Sequence, residues 1–176
     1  MPHQILADLR TEIVAALSQT GLWNEQKEGM DMSVIAFNPS TGDLWFAGAN
    51  SPLLIIKPAN TLNPANIDTD CSDSDRLTYV RGDKMPVGIH DRMNPFTLHQ
   101  LQLSKGDHVF LMTDGFADQF GGQQGKKFMT HRLRHFLQQT SLLTPDDQEA
   151  ALQNTFDQWK GTHDQTDDVT VVGFRY

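Results

Sequence analysis

The chain has 176 residues and a formal net charge of −8 at pH 7, a length that suits one domain spanning 1–176 and burying its own core without disulfides or a structural metal. Its single cysteine, Cys71, rules out an internal disulfide framework and a four-cysteine zinc site and points to a reducing compartment, the cytoplasm. The negative balance, with no basic stretch interleaved with aromatics, argues against nucleic acid, and no apolar run approaches the ~20 residues of a membrane helix, so no membrane partner is expected.

Along residues 5–17, Ile5, Leu9, Ile13, Ala16 and Leu17 recur at helical spacing ahead of Gly21, which predicts an amphipathic helix. Residues 32–37 are apolar and partly β-branched, and the turn formers Asn38-Pro39-Ser40-Thr41-Gly42 separate them from Leu44-Trp45-Phe46-Ala47, a β-hairpin pattern. Leu53-Leu54-Ile55-Ile56 reads as a short buried strand. Residues 59–75 are polar and read as a surface loop; the run Asp68-Thr69-Asp70-Cys71-Ser72-Asp73 fails as a calcium loop because Asp73 stands where glycine is needed and Tyr79 where glutamate is needed.

Further strands are expected at 77–80, 96–103 and 108–112, with Ser104-Lys105-Gly106-Asp107 a tight turn between the last two. Two helices follow. One covers 126–139 with Phe128, Leu133, Phe136 and Leu137; the other opens on Thr144 as N-cap with Pro145 and Asp147 and turns Leu152, Phe156 and Trp159 inward. A last strand spans 169–175. Strands with intervening helices predict an α+β fold in which antiparallel sheets pack in two layers and helices cover the outside.

The residues fit for chemistry sit at strand ends. Thr113-Asp114-Gly115 stands where the strand 108–112 stops, Asp118 follows four residues after Asp114, and Asp167-Asp168 precede the last strand. Carboxylates so placed are donors for a hard cation such as Mg²⁺ or Mn²⁺, and they are equally ordinary turn formers. His131 and His135 share a helix face but are flanked by Arg132 and Arg134, which repel a cation, so they read as solvated surface. There is no Gly-x-Ser-x-Gly elbow, and Cys71 lies in a polar loop, so no side-chain nucleophile is indicated.

The order of motifs goes further. Ala47-Gly48-Ala49-Asn50-Ser51-Pro52, Met85-Pro86-Val87-Gly88-Ile89, Leu103-Ser104-Lys105-Gly106-Asp107 leading into Thr113-Asp114-Gly115, and Gln165-Thr166-Asp167-Asp168-Val169-Thr170 together resemble the SpoIIE-like branch of the PPM, or type 2C, protein phosphatases. The likeness runs over residues 5–175. It is strongest for the group in which Gly29-Met30-Asp31 precedes the first hairpin and Asp118-Gln119-Phe120-Gly121-Gly122 follows the Thr-Asp-Gly.

This resemblance implies a β-sandwich with a two-metal Mn²⁺ or Mg²⁺ centre that activates water against phosphoserine or phosphothreonine on a bacterial regulatory protein, an anti-sigma-factor antagonist among them. It implies Asp114 and Asp167 as metal ligands and Asp118 as a ligand for a further, loosely held metal. It leaves Thr113, Gly115 and Asp168 in supporting roles and gives Asn50 none. The family's Gly-Asp-x-x-Gly-His-Gly segment, which precedes the first helix and whose aspartate bridges both metals, has no counterpart here, so the resemblance implies a domain incomplete at its N-terminus and lacking its first strands, with a partial metal site and little or no activity of this chain alone. The alternative is a non-catalytic interaction domain, self-associating through an exposed sheet edge as a homodimer.

Overall fold

The computed structural model describes residues 1–22, 27–58, 76–91 and 93–176. In chain order the elements are α1 (Pro2–Ala16), β1 (Gly29–Met30), β2 (Met32–Phe37), β3 (Asp43–Ala49), β4 (Leu53–Ile56), β5 (Leu77–Val80), β6 (Val87–Gly88), β7 (His99–Gln102), β8 (His108–Met112), α2 (Gly115–Asp118), β9 (Phe120–Gly121), β10 (Lys126–Lys127), α3 (Thr130–Gln139), a 3-10 turn (Thr140–Leu142), α4 (Pro145–Lys160) and β11 (Val171–Arg175). They gather into two compact units: residues 1–53, 79–105 and 175–176 form one, and residues 54–78 and 106–174 the other. No helix among the described residues is long and apolar enough to cross a membrane.

In the first unit an antiparallel sheet has the order β2-β3-β7. The predicted hairpin is there, with Met32 opposite Ala49 and Phe37 opposite Leu44. Along β3, Leu44 and Phe46 on one face and Ala47 and Ala49 on the other are all fully buried, so this strand is covered on both faces. Ala47 and Ala49 join Leu6, Met85, Val87 and Phe96 in a single apolar cluster, where burying a side chain the size of Leu6 contributes about 1.5–3 kcal/mol.

The helix α1 lies over that cluster with Leu9 and Ile13 of the expected stripe packed against it, but its most buried positions differ from that stripe. Pro2, Leu6 and Arg10 are buried, whereas Ile5 and Leu17 are 46% and 48% exposed. The reason is Arg10: its guanidinium stacks 4.0 Å from the Phe96 ring centroid and its Nη1 donates to Asn94 O at 2.9 Å. A charged residue thereby occupies the inner arc that an apolar count assigns elsewhere. Burial pushes the Arg10 pKa below its ordinary value, and the Asp83 carboxylate partly offsets this.

In the second unit a four-stranded sheet has the order β11-β8-β4-β5. All four residues of β4 are buried, as its unbroken apolar run predicts. Phe116 lies 5.1 Å from both Phe128 and Phe156, and Phe128 lies 5.3 Å from Trp159, ring centroid to centroid. These rings pack α2 and α4 with the segment leading into α3. The cap of α4 forms as predicted: Thr144 Oγ1 accepts from Asp147 N at 3.2 Å, a contact of the kind that contributes about 1 kcal/mol.

Three expectations need correction. The helix predicted over 126–139 begins only at Thr130, because Lys126 and Lys127 pair antiparallel with Gly121 and Phe120. This β9–β10 hairpin requires Gly121, since a Cβ there would stand 1.8 Å from Trp159 O. The strand predicted over 96–103 is confined to His99–Gln102. The turn expected at 104–107 is present at Lys105 and Gly106, but it joins strands of different sheets and so closes no hairpin. The stretch 59–75, including Cys71 and Asp68 to Asp73, lies outside the described residues.

Candidate functional site

Every residue singled out as a metal ligand lies in the second unit. β8 ends at Met112, buried, and Thr113 continues it for one step beside the chain that enters β11. Thr113 N donates to Thr170 O at 3.0 Å. The Thr113 hydroxyl donates to Asp168 O at 3.0 Å and accepts from Thr170 N at 3.0 Å. Main chain and side chain of one threonine thus fasten two segments more than fifty residues apart.

Gly115 decides how close they come. A Cβ on Gly115 would lie 2.4 Å from Asp168 O and 3.0 Å from Asp168 C, so only glycine lets the Thr-Asp-Gly turn rest on the Asp-Asp turn. Asp114 is the N-cap of the four-residue α2, and Asp118 N donates to Asp114 O at 2.8 Å. Asp167 turns its Oδ1 to accept from Asp168 N at 2.7 Å. The segments bearing Asp114 and Asp167 touch through Thr113, Gly115 and Asp168, and both aspartates are exposed.

Asp118 has a different neighbour. Lys127 Nζ lies 2.8 Å from Asp118 Oδ2, the two side chains being 41% and 46% exposed. An ion pair in that much water contributes about 0–1 kcal/mol. It ties the β9–β10 hairpin to α2 and sets an ammonium group where the resemblance implies a loosely held cation.

In kind, these groups fit a hard divalent cation, which takes oxygen donors. In number they fall short: among the described residues no three His, Cys, Asp or Glu side chains gather into a cation-holding group. The helical pair His131 and His135 is likewise exposed on α3.

Sequence reasoning missed two features. In the first unit, Asn50 Nδ2 donates to Asp31 Oδ1 at 2.8 Å, and Asn50 holds φ at +54°, a left-handed conformation that asparagine tolerates better than most residues. Only the adjacency of Asn50 to the turn formers Ser51 and Pro52 hinted at it. In the second unit, Gln119 is fully buried; a polar residue flanked by Asp118 and Phe120 gives no periodic signal of burial.

The profile of the family described as Stage II sporulation protein E (SpoIIE) matches residues 1–176. Among solved structures, the SiaA-PP2C domain of Pseudomonas aeruginosa matches with a TM-score of 0.79 at 25% identity, over 99% of this chain and 61% of that one. The phosphatase domain of the cell fate determinant SpoIIE from Bacillus subtilis, Mn presoaked, matches with a TM-score of 0.57 at 14% identity, over 98% and 71%. The RsbU and RsbW domains of a Mycobacterium tuberculosis protein match with a TM-score of 0.54 at 15% identity, over 96% and 46%. No curated protein matches. The chain spans 61% of the SiaA domain's length, and its mixed α+β architecture with antiparallel sheets is that of PP2C phosphatase domains. By its profile over all 176 residues and its fold, the chain belongs to the SpoIIE family of PP2C-type phosphatase domains.

Proposed function

We propose that this chain works within a single metal-dependent phosphatase domain that removes phosphate from serine or threonine of a bacterial regulatory protein in the cytoplasm. The observation that carries the reading is the contact of Gly115 with the Asp168 backbone, which holds Asp114 and Asp167 on adjoining turns. Asp114 and Asp167 then serve as ligands to Mn²⁺ or Mg²⁺, and Asp118 as a ligand to a further cation once Lys127 gives way. Thr113, Gly115 and Asp168 keep the two turns together. Bound divalent cations supply a water acidic enough to attack a phosphate ester near neutral pH. Since fewer than three candidate ligands gather among the described residues, hydrolysis belongs to an assembly that contributes further ligands, and the chain by itself has little activity. The substrate class, as the resemblance of the motifs implies, is a phosphorylated anti-sigma-factor antagonist.

The same shortage of gathered ligands favours a second reading, a non-catalytic interaction domain. Among the described residues β11 stands at one edge of its sheet and its Val172 is 55% exposed, a surface on which a second copy can pair.

The test is Mn²⁺ binding by electron paramagnetic resonance on the chain and on Asp114→Asn, with p-nitrophenyl phosphate hydrolysis measured alongside. Binding at least about tenfold weaker in the variant is expected for loss of a charged ligand. Equal binding by both proteins sinks the metal reading and leaves the interaction domain.

A further inference from the structure

Gln119 occupies a place that neither its chemistry as a polar side chain nor a metal role explains. It is the only fully buried side chain among the described residues of 118–128 that carries an amide, at 0% exposure. Its Nε2 donates to Asp164 O and to Phe120 O, both at 2.9 Å, and its Oε1 accepts from Thr166 N at 3.3 Å. The two carbonyl partners identify the nitrogen and the amide partner identifies the oxygen. Its own carbonyl accepts from Trp159 Nε1 at 3.0 Å and from Phe128 N at 3.0 Å.

These bonds run between two positions that matter. Gln119 directly follows Asp118, and Thr166 directly precedes Asp167. The Asp164–Thr166 stretch is exposed and would otherwise compete with water for its backbone bonds. A buried amide satisfied on both ends is rigid, because any shift of the loop strands a polar group in a low-dielectric interior.

We infer that Gln119 is the positioning residue that fixes the Asp167-bearing loop against the end of the helix carrying Asp118, so that the spacing of these carboxylates is set from inside the fold. It touches neither carboxylate and acts through the backbone one residue away from each. The inference rests on the metal reading above for its consequence, though not for its geometry.

The experiment uses the whole chain and three variants. Gln119→Met keeps the length and volume of the side chain and removes all of its hydrogen bonds. Gln119→Glu keeps an acceptor for Thr166 N and serves if the methionine variant does not fold. Trp159→Phe removes a donor to the Gln119 carbonyl while leaving the Gln119 side chain intact, and so controls for lost stability. Two quantities are read: hydrogen exchange at the Thr166 amide, and Mn²⁺ affinity by electron paramagnetic resonance.

Exchange at Thr166 is expected to quicken by about tenfold or more in Gln119→Met, and Mn²⁺ affinity to weaken by about tenfold, the lower end for loss of a group that orients ligands. Gln119→Glu should fall between that variant and the parent. Trp159→Phe should leave both within about twofold, whatever it loses in urea stability. Unchanged exchange in the Gln119 variants overturns the inference, as does a Trp159→Phe loss of affinity in step with its loss of stability. If Mn²⁺ binds the parent and Asp114→Asn alike, the metal reading fails by itself, and the exchange result still decides whether Gln119 fixes the loop.

Discussion

Two places in this molecule bring an aspartate to the end of a strand, and they are built differently. In the second unit, the turns carrying Asp114 and Asp167 are joined by Thr113 through its main chain and hydroxyl, and by a glycine contact that admits no side chain. In the first unit, Asp31 meets Asn50 through one exposed side-chain hydrogen bond of 2.8 Å. Several ties made together, one of them between main-chain groups, hold a geometry more firmly than a lone exposed side-chain pair, which competes with solvent and is close to neutral. The first arrangement suits ligands whose spacing must not drift; the second suits an adjustable surface.

Substitutions can break this contrast in order of expected size. Gly115→Ala should be the most damaging, because its Cβ would press on the Asp168 carbonyl; a loss of roughly 3 kcal/mol is expected from forced overpacking against backbone. Urea denaturation measures it, and a loss below about 1 kcal/mol would mean that the two turns separate easily. Thr113→Val keeps the shape and the backbone bond but removes the hydroxyl, so about 1–2 kcal/mol should go, again read in urea. Asn50→Gly removes the bond to Asp31 while relieving the left-handed backbone at φ +54°, and these opposing effects should leave stability within about 0.5 kcal/mol. A larger loss would show that the first-unit pair is as firmly built as the second-unit junction.

The smallest effect concerns charge at the surface of the first unit. Lys27 Nζ donates to Asp91 Oδ1, and this bond, with the attraction of the same ammonium, holds the Asp91 pKa below its ordinary value. A depressed carboxylate adds stability at pH values above its unfolded pKa, and that stability is lost as pH falls through the folded pKa. With the Asp91 carboxylate fully exposed, the change in stability is too small to follow by unfolding. The measurable outcome is that Lys27→Gln moves the Asp91 titration upward in an NMR pH series; no movement would show that the pair does not persist in solution.

The sequence by itself determined the hairpin of residues 32–49, the buried strand β4, the α4 cap at Thr144 and the family, since periodicity, turn formers and ordered motifs are local properties written in neighbouring residues. It also marked Asp114, Asp118, Asp167 and Asp168 as strand-end carboxylates. Tertiary structure alone decided that Arg10 turns inward on Phe96, that Lys126 and Lys127 pair as a strand with Phe120 and Gly121, that Lys127 meets Asp118, and that Gln119 joins α2 to the Asp164–Thr166 stretch. Each of these depends on a partner distant in the chain or on a polar group whose burial becomes favourable only after packing has brought its hydrogen-bond partners to it.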